Sequence, residues 1–194
     1  MVINPYDPCM VNMTTKGGKK LTVIWNVDDL MVSCEEYFKI PKLACYLCDI
    51  CGPKMTIHLG NKHDYLGVVY EFKDKKVEVS MFDYVDKTME EFPEDENKRA
   101  ATPASNHPFE VHADNEAIYL LEEQTMAFHH TVTQLLFLAT RARRDIGVAV
   151  SFLTSCVKKP DEDNWGKVKQ VLSYLWGTRR LKLTFDITLL RIAK

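Results

Sequence analysis

The first third of the chain alternates short apolar runs with turn-forming residues, which is the pattern of strands joined in antiparallel hairpins. The pattern predicts strands over residues 9–13 and 21–27, connected through the Gly17–Gly18 pair, and a resumed apolar run over residues 30–32. A helix over residues 35–51 is expected to end at Gly52 and Pro53. Further strands are predicted over residues 54–58, 65–72 and 76–80.

From Ser80 onward the hydrophobic period becomes helical, with Ser80 as the expected amino-terminal cap of a helix over residues 81–92. Pro160 and the acidic residues after it suit the start of a late helix. The remaining predicted elements are helices over residues 122–139, 145–157 and 161–176 and a last strand over residues 181–185.

This order of elements predicts an α+β fold with a strand-rich first part and a helical second part. Residues 93–115 are polar and contain Pro93, Pro103 and Pro108, so they are interpreted as a linker. The predicted parts are therefore 1–92, the linker 93–115, a helical region 116–186 and an unassigned tail 187–194.

Composition narrows the class of protein. Hydrophobic residues make up 46% and charged residues 27% of the 194 residues, which is typical of a soluble globular protein. No apolar stretch approaches the roughly 20 residues of a membrane span, and the first residues lack a signal-peptide pattern. We expect no membrane partner and an intracellular location, with cytoplasm and nucleus not distinguished. The six cysteines are expected to be reduced thiols.

Charge is unevenly distributed along the chain. Residues 71–123 contain 15 acidic and 6 basic side chains, whereas residues 141–182 contain 10 basic and 4 acidic ones. A basic segment is where a polyanion would bind, although an ordinary solvated surface explains the same pattern.

Two adjacent carboxylates, Asp28 and Asp29, interrupt the apolar runs of the predicted hairpin. Carboxylates held together near the protein body repel each other, and a divalent cation removes that cost. Magnesium binds a few carboxylates together with water and substrate phosphates. The pair is therefore a candidate metal site, and a turn without catalytic function is the alternative.

Two other groups of possible metal ligands are weaker candidates. Cys45, Cys48 and Cys51 recur every three residues on the predicted helix, which favours small buried apolar side chains over a metal cluster. His129 and His130 are adjacent, so on a helix they point in different directions and cannot readily share one ion.

The Val27-Asp28-Asp29 sequence resembles the catalytic motif of reverse transcriptases, and later motifs follow the order of copia-type retrotransposon enzymes. The likeness extends from about residue 7 to residue 184. The later motifs are His-Asp-Tyr-Leu-Gly-Val at 63–68, Ala-Thr-Pro-Ala at 101–104, Phe-His-His at 128–130, Gln-Leu-Leu-Phe-Leu at 134–138, Arg-Arg-Asp-Ile at 143–146 and Tyr-Leu-Trp-Gly-Thr at 174–178.

The resemblance implies a partial polymerase palm followed by a thumb and connection region, with RNA-directed DNA polymerase chemistry. Asp28 and Asp29 would be the catalytic residues and the ligands of two Mg²⁺ ions. The implied partners are an RNA or DNA primer-template and deoxynucleoside triphosphates. The implied nucleotide- or primer-proximal residues are Asn26, Val27, Tyr65, Leu66 and Gly67.

The chain also departs from the family pattern. Only 27 residues precede Asp28, so the upstream catalytic aspartate has no room, and the acidic cluster of an RNase H domain is absent. Asn26 stands where the family usually has an aromatic ring, and Trp176 replaces a lysine. We therefore expect a fragment with very little polymerase activity alone.

The alternative is a non-enzymatic remnant that binds nucleic acid through its basic helical region. The candidate contacts with the nucleic-acid backbone are Arg141, Arg143, Arg144, Lys167, Lys169, Arg179 and Arg180.

Overall fold

The computed structural model describes residues 2–52, 55–94, 98–104, 107–113 and 115–186. The chain forms two compact units, Met1–Tyr65 and Leu66–Lys194. The described residues form antiparallel sheets and five α-helices, and the helices are concentrated in the carboxyl-terminal part, which confirms the α+β class. The predicted division into residues 1–92, 93–115 and 116–186 stays a prediction.

The first unit contains an antiparallel sheet in which strands follow chain order. Its helix follows the fourth strand, and a short fifth strand ends the unit. The elements are β1 (Val2–Asn4), β2 (Asp7–Thr14), β3 (Lys20–Asn26), β4 (Asp29–Cys34), α1 (Lys39–Cys51) and β5 (Lys62–Tyr65).

This unit has little buried interior. Among its described residues only Thr15 and Leu21 are buried, and α1 has no buried residue. The expectation that the α1 cysteines are buried apolar side chains is wrong, because Cys45 and Cys51 are exposed and Cys48 is only half-buried. All six cysteines of the chain are free.

The second unit combines a sheet with a helical bundle. Strand β7 pairs antiparallel with both β6 and β8, so the predicted last strand joins a hairpin formed about a hundred residues earlier. The elements are β6 (Val68–Lys73), β7 (Lys76–Ser80), α2 (Phe82–Glu90), α3 (Glu122–Arg141), α4 (Gly147–Cys156), α5 (Glu162–Thr178) and β8 (Leu183–Asp186), with a 3-10 turn at Arg144–Ile146 before α4.

The core of the second unit lies among its helices. Apolar side chains recur at three- and four-residue steps on α3 and α5, so each helix buries one stripe. The fully buried members include Phe128, Leu135 and Leu138 on α3, Val150 and Leu153 on α4, and Val168, Val171, Leu172 and Leu175 on α5.

Three local predictions are corrected by the structure. Residues 55–58 form no strand, and Lys54 lies outside the described residues. The strand predicted over residues 65–72 is interrupted at Leu66 and Gly67, which both have positive φ. Ser80 ends β7, and Met81 occupies the cap position of α2 without a side-chain hydrogen bond.

The described parts of the predicted linker lie against α5. The Thr102 carbonyl accepts a hydrogen bond from Gln170, and the Glu110 carbonyl accepts one from Lys167 at 2.7 Å. The start of α5 is capped by Asp161, whose carboxylate accepts from the Asn164 amide at 2.8 Å. Backbone carbonyls of this segment thus accept hydrogen bonds from side chains of α5.

A buried arginine joins the turn after α3 to the end of α5. The Arg143 side chain is 2% exposed. Its Nε and Nη2 donate to the Asp145 carboxylate, and Nη1 and Nη2 donate to the carbonyl and hydroxyl of Thr178. Tyr174 donates its hydroxyl to the same carboxylate. Because the charge is paired and its hydrogen bonds are satisfied, the guanidinium is stable inside the fold.

We expect Arg143→Ala to lower the free energy of unfolding by about 2–4 kcal/mol, because it leaves the Asp145 carboxylate without its charge partner. Arg144→Ala is the matched control, since Arg144 is exposed and adjacent. Its expected effect is within about 0.5 kcal/mol. Urea unfolding measures both, and equal effects would contradict the structural role of Arg143.

The pH dependence of the free energy of unfolding reports on the ion pair between Arg143 and Asp145. Burial raises the pKa of Asp145, but the hydrogen bonds from Arg143 and Tyr174 outweigh it and hold that pKa below its usual value. Because the folded pKa is depressed, the stabilisation is fully present above the unfolded pKa of about 3.9 and is lost as pH falls through the folded value. Arg143→Ala should therefore flatten the acid limb of the stability profile.

Candidate metal-binding hairpin and basic surface

The two adjacent aspartates lie at the tip of the hairpin between β3 and β4. The ladder runs from Leu21 opposite Cys34 to Asn26 opposite Asp29, so Val27 and Asp28 form a two-residue loop. The tip residues are all exposed. The hairpin therefore presents both carboxylates to solvent at one end of the sheet.

Val27 has an unusual backbone conformation in this loop. Its φ is +53°, and its side chain is 93% exposed. A β-branched residue rarely adopts positive φ, because its side chain crowds the backbone. In two-residue hairpin loops the positive-φ positions normally hold Gly, Asn or Asp. The Asp74–Lys75 loop between β6 and β7 also has positive φ, so this conformation follows from the short loop. The tip is a candidate site because this loop presents two adjacent carboxylates.

The ligand set at the tip fits magnesium in kind but is small in number. Asp28 and Asp29 offer hard carboxylate oxygens, which magnesium prefers. Within the described ranges, no third histidine, cysteine or acidic side chain joins them in a cluster of possible metal ligands. The assignment of Asp28 and Asp29 as catalytic metal ligands stays a prediction.

The other predicted primer-proximal residues form a separate turn. Leu66 and Gly67 have φ values of +55° and +73°, and Tyr65 is the last residue of β5. Gly67 suits this conformation because it has no Cβ, whereas Leu66 is strained. Asn26 and Val27, by contrast, lie directly beside the two aspartates.

Seven basic residues were predicted to contact a nucleic-acid backbone, and four of them form ion pairs within the protein. Arg143 is buried as described, and Lys167 is 8% exposed with its ammonium 2.7 Å from the Asp163 carboxylate. Two further pairs join Lys169 to Glu94 at 2.6 Å and Arg180 to Asp86 at 3.3 Å. Because Glu94 and Asp86 come from the acidic segment, the last two pairs neutralise part of the positive charge of residues 141–182. Arg143 and Lys167 have structural roles in this arrangement.

The other three predicted contacts are exposed arginines. Arg141 lies over the Phe137 ring at 3.7 Å, and Arg179 lies over the Trp176 ring at 4.6 Å. Arg144 is exposed on the 3-10 turn. Guanidinium groups that lie over aromatic rings keep their charge and can remain near solvent. These three arginines are therefore available to a polyanion.

Sequence reasoning missed a group of possible metal ligands beside α5. His112, Asp161 and Asp163 have ligand atoms within 4.8 Å of one another, and His112 is 3.3 Å from the Asp161 carboxylate. The Lys167 ammonium already lies against Asp163, which disfavours a second cation there. No sequence signal marked this group, because His112 lies 49 residues before Asp161.

Comparison with known proteins supports a retrotransposon origin. Over 177 residues the chain is 25% identical to the retrovirus-related Pol polyprotein from transposon TNT 1-94 of Nicotiana tabacum. The match covers 89% of this chain and 13% of the polyprotein, so the chain spans about an eighth of that relative. No protein-family model matches the chain, and no solved structure matches it. The similarity supports the copia-type retrotransposon character expected from the motifs.

No helix in the described part of the chain is both long enough and apolar enough to cross a bilayer.

Replacing Val27 with glycine should relieve the backbone strain of the hairpin tip. We expect Val27→Gly to stabilise the hairpin by about 0.5–1 kcal/mol, after allowance for the greater freedom of glycine in the unfolded chain. Slower amide hydrogen exchange in β3 and β4 would show this gain.

Leu30→Gly is the matched control, because Leu30 is a partly exposed β4 residue without positive φ. It should speed exchange, since glycine weakens a strand interior. Faster exchange in both variants would show that Val27 is not strained.

Proposed function

We propose that this chain is a fragment of a retrotransposon reverse transcriptase and that its β3–β4 hairpin is the carboxylate part of a nucleotidyl-transfer site. The observation that carries the proposal is the strained two-residue loop that presents Asp28 and Asp29 together. The similarity to a retrovirus-related Pol polyprotein supports the same proposal. The motifs that resemble reverse transcriptases imply a polymerase activity.

In the proposed site each residue of the tip has a distinct task. Asp28 would supply metal-ligand oxygens, and Asp29 would be its partner carboxylate. Asn26, opposite Asp29, would lie beside the incoming nucleotide, and Val27 would contact the primer end. Magnesium, when bound, would neutralise the carboxylates and orient phosphate oxygens. Two carboxylates form a weak site, so we propose weak ion binding and very little polymerisation by this chain alone.

Manganese titration followed by NMR tests the hairpin directly, because this paramagnetic ion broadens nearby amide signals. We expect selective broadening at residues 26–30 and its loss in the Asp28→Asn, Asp29→Asn double variant. Asp49→Asn is the control, since Asp49 is an exposed carboxylate on α1 of the same unit. Broadening that survives in the double variant would exclude the hairpin as the binding site.

Primer extension on an RNA template with magnesium tests the chemical step in the same variants. Little or no extension by the unaltered chain is the expected result. Clear extension that disappears in the double variant would show that the site works without further carboxylates, contrary to the proposed incompleteness.

A second candidate function is binding of a nucleic-acid backbone through the exposed arginines of the second unit. It is favoured by Arg141, Arg144 and Arg179, which are exposed while neighbouring cations are paired internally. Phosphate contacts release counterions, so this binding would weaken steeply as salt rises.

The salt dependence of binding to an RNA–DNA duplex tests this candidate. Each phosphate contact contributes about 0.9 to the slope of log K against log salt, so the Arg144→Gln, Arg179→Gln variant should reduce the slope by roughly 2. Lys169→Gln should leave it nearly unchanged, because Lys169 is paired with Glu94. Fluorescence anisotropy measures both, and an unaltered slope in the double variant would exclude these two arginines as contacts.

A further inference from the structure

The carboxyl end of α5 places an arginine guanidinium over an aromatic ring. The Arg179 guanidinium carbon lies 4.6 Å from the centre of the Trp176 ring. Trp176 is half-buried and Arg179 is exposed. The indole therefore supports the guanidinium from the protein side, and the arginine remains accessible from solvent.

Two further arginines lie at the same end of the helix. A Cβ on Gly177 would meet Arg99 side-chain atoms at 3.7 Å, so Arg99 crosses the helix at this point. The Ala100 amide fixes the crossing by donating to the Ser173 carbonyl at 3.2 Å. The hydrogen bonds of Arg143 to Thr178 bring the turn that carries Arg144 to this end as well.

The acidic groups described nearby are already engaged. Asp145 accepts from Arg143 and Tyr174, and Asp86 pairs with Arg180. Arg99, Arg144 and Arg179 are all exposed, so positive charge is concentrated at this surface. The last carbonyls of α5 also favour cations at this end.

We propose that this surface binds single-stranded nucleic acid, with an unpaired base stacked on the Arg179 guanidinium and phosphates bound by Arg99 and Arg144. A duplex buries its base faces between neighbouring bases, whereas a single strand can place a base on an arginine plane or an aromatic ring. The inference rests on the second candidate function, backbone binding, and adds to it the preference for unpaired bases. It is independent of the metal-binding hairpin.

Arg179→Lys separates stacking from charge, because lysine keeps the positive charge and lacks the planar guanidinium. The probes are an oligothymidylate of roughly 15 nucleotides, within the usual site size for single strands, and its duplex with oligoadenylate. We expect Arg179→Lys to weaken oligothymidylate binding about tenfold, as expected for the loss of one stacked base. Duplex binding should weaken much less, because lysine keeps the charge that contacts the phosphates.

Trp176 supplies a second pair of variants. Trp176→Leu should weaken oligothymidylate binding as Arg179→Lys does, because the guanidinium loses its support. Trp176→Phe should restore most of the affinity, since an aromatic ring remains beneath the arginine. Thermal melting of each variant identifies any loss of fold. If the Trp176 variants unfold, Arg179→Lys still tests the inference, because it changes only an exposed side chain.

Three outcomes would overturn the inference. Equal affinity for single strand and duplex, with no effect of Arg179→Lys, would leave only backbone binding. If neither probe binds, the second candidate function is excluded as well. The proposed metal site of the hairpin, which the manganese titration tests, would not be affected. Displacement of oligothymidylate by polyglutamate at equal charge concentration would show a surface for polyanions without base recognition.

Discussion

The second unit depends on one buried cation. Arg143 is enclosed between the turn after α3 and the last residues of α5, and its guanidinium bonds both Asp145 and Thr178. A charge in this position is stable only when its partners are fixed, so the helix end and the turn must keep their relative placement. The basic surface depends on the same contact, because Arg144 and Arg179 flank the residues that it joins.

This contact also shows where sequence reasoning stops. Helical periodicity identified α3 and α5 and the buried stripe that includes Val168 and Leu172, because the spacing of apolar residues is local information. Which basic residues face solvent is not local information, because their partners lie far away in the sequence. Lys169 meets Glu94 from 75 residues away, and Arg180 meets Asp86 from 94 residues away. The sequence therefore shows an excess of basic residues, whereas pairing within the fold determines which of them remain exposed.

The first unit shows a different limit. The β3–β4 hairpin could be predicted, because turn and strand signals lie within a few residues of each other. The predicted interruption at Asp28 and Asp29 is one residue late, because the loop consists of Val27 and Asp28, and Asp29 belongs to β4. The environment of α1 could not. Regular spacing of Cys45, Cys48 and Cys51 is compatible with a buried helix face, but spacing does not show whether another element covers that face. The structure leaves two of these thiols exposed. The strain at Val27 was also invisible, because ordinary residues give no signal of positive φ.

Strain at Val27 can persist because the hairpin constrains its own loop. Six successive residue pairs, from Leu21 opposite Cys34 to Asn26 opposite Asp29, fix the ends of a connection only two residues long. A loop of this length between paired strands requires positive φ at one or both central positions, so Val27 adopts it although glycine would do so at lower cost. The ladder determines where the backbone of Asp28 and Asp29 lies, and the loop geometry determines that both emerge at the tip. In a unit with almost no buried core, hydrogen-bonded pairing is thus the interaction that presents the carboxylates.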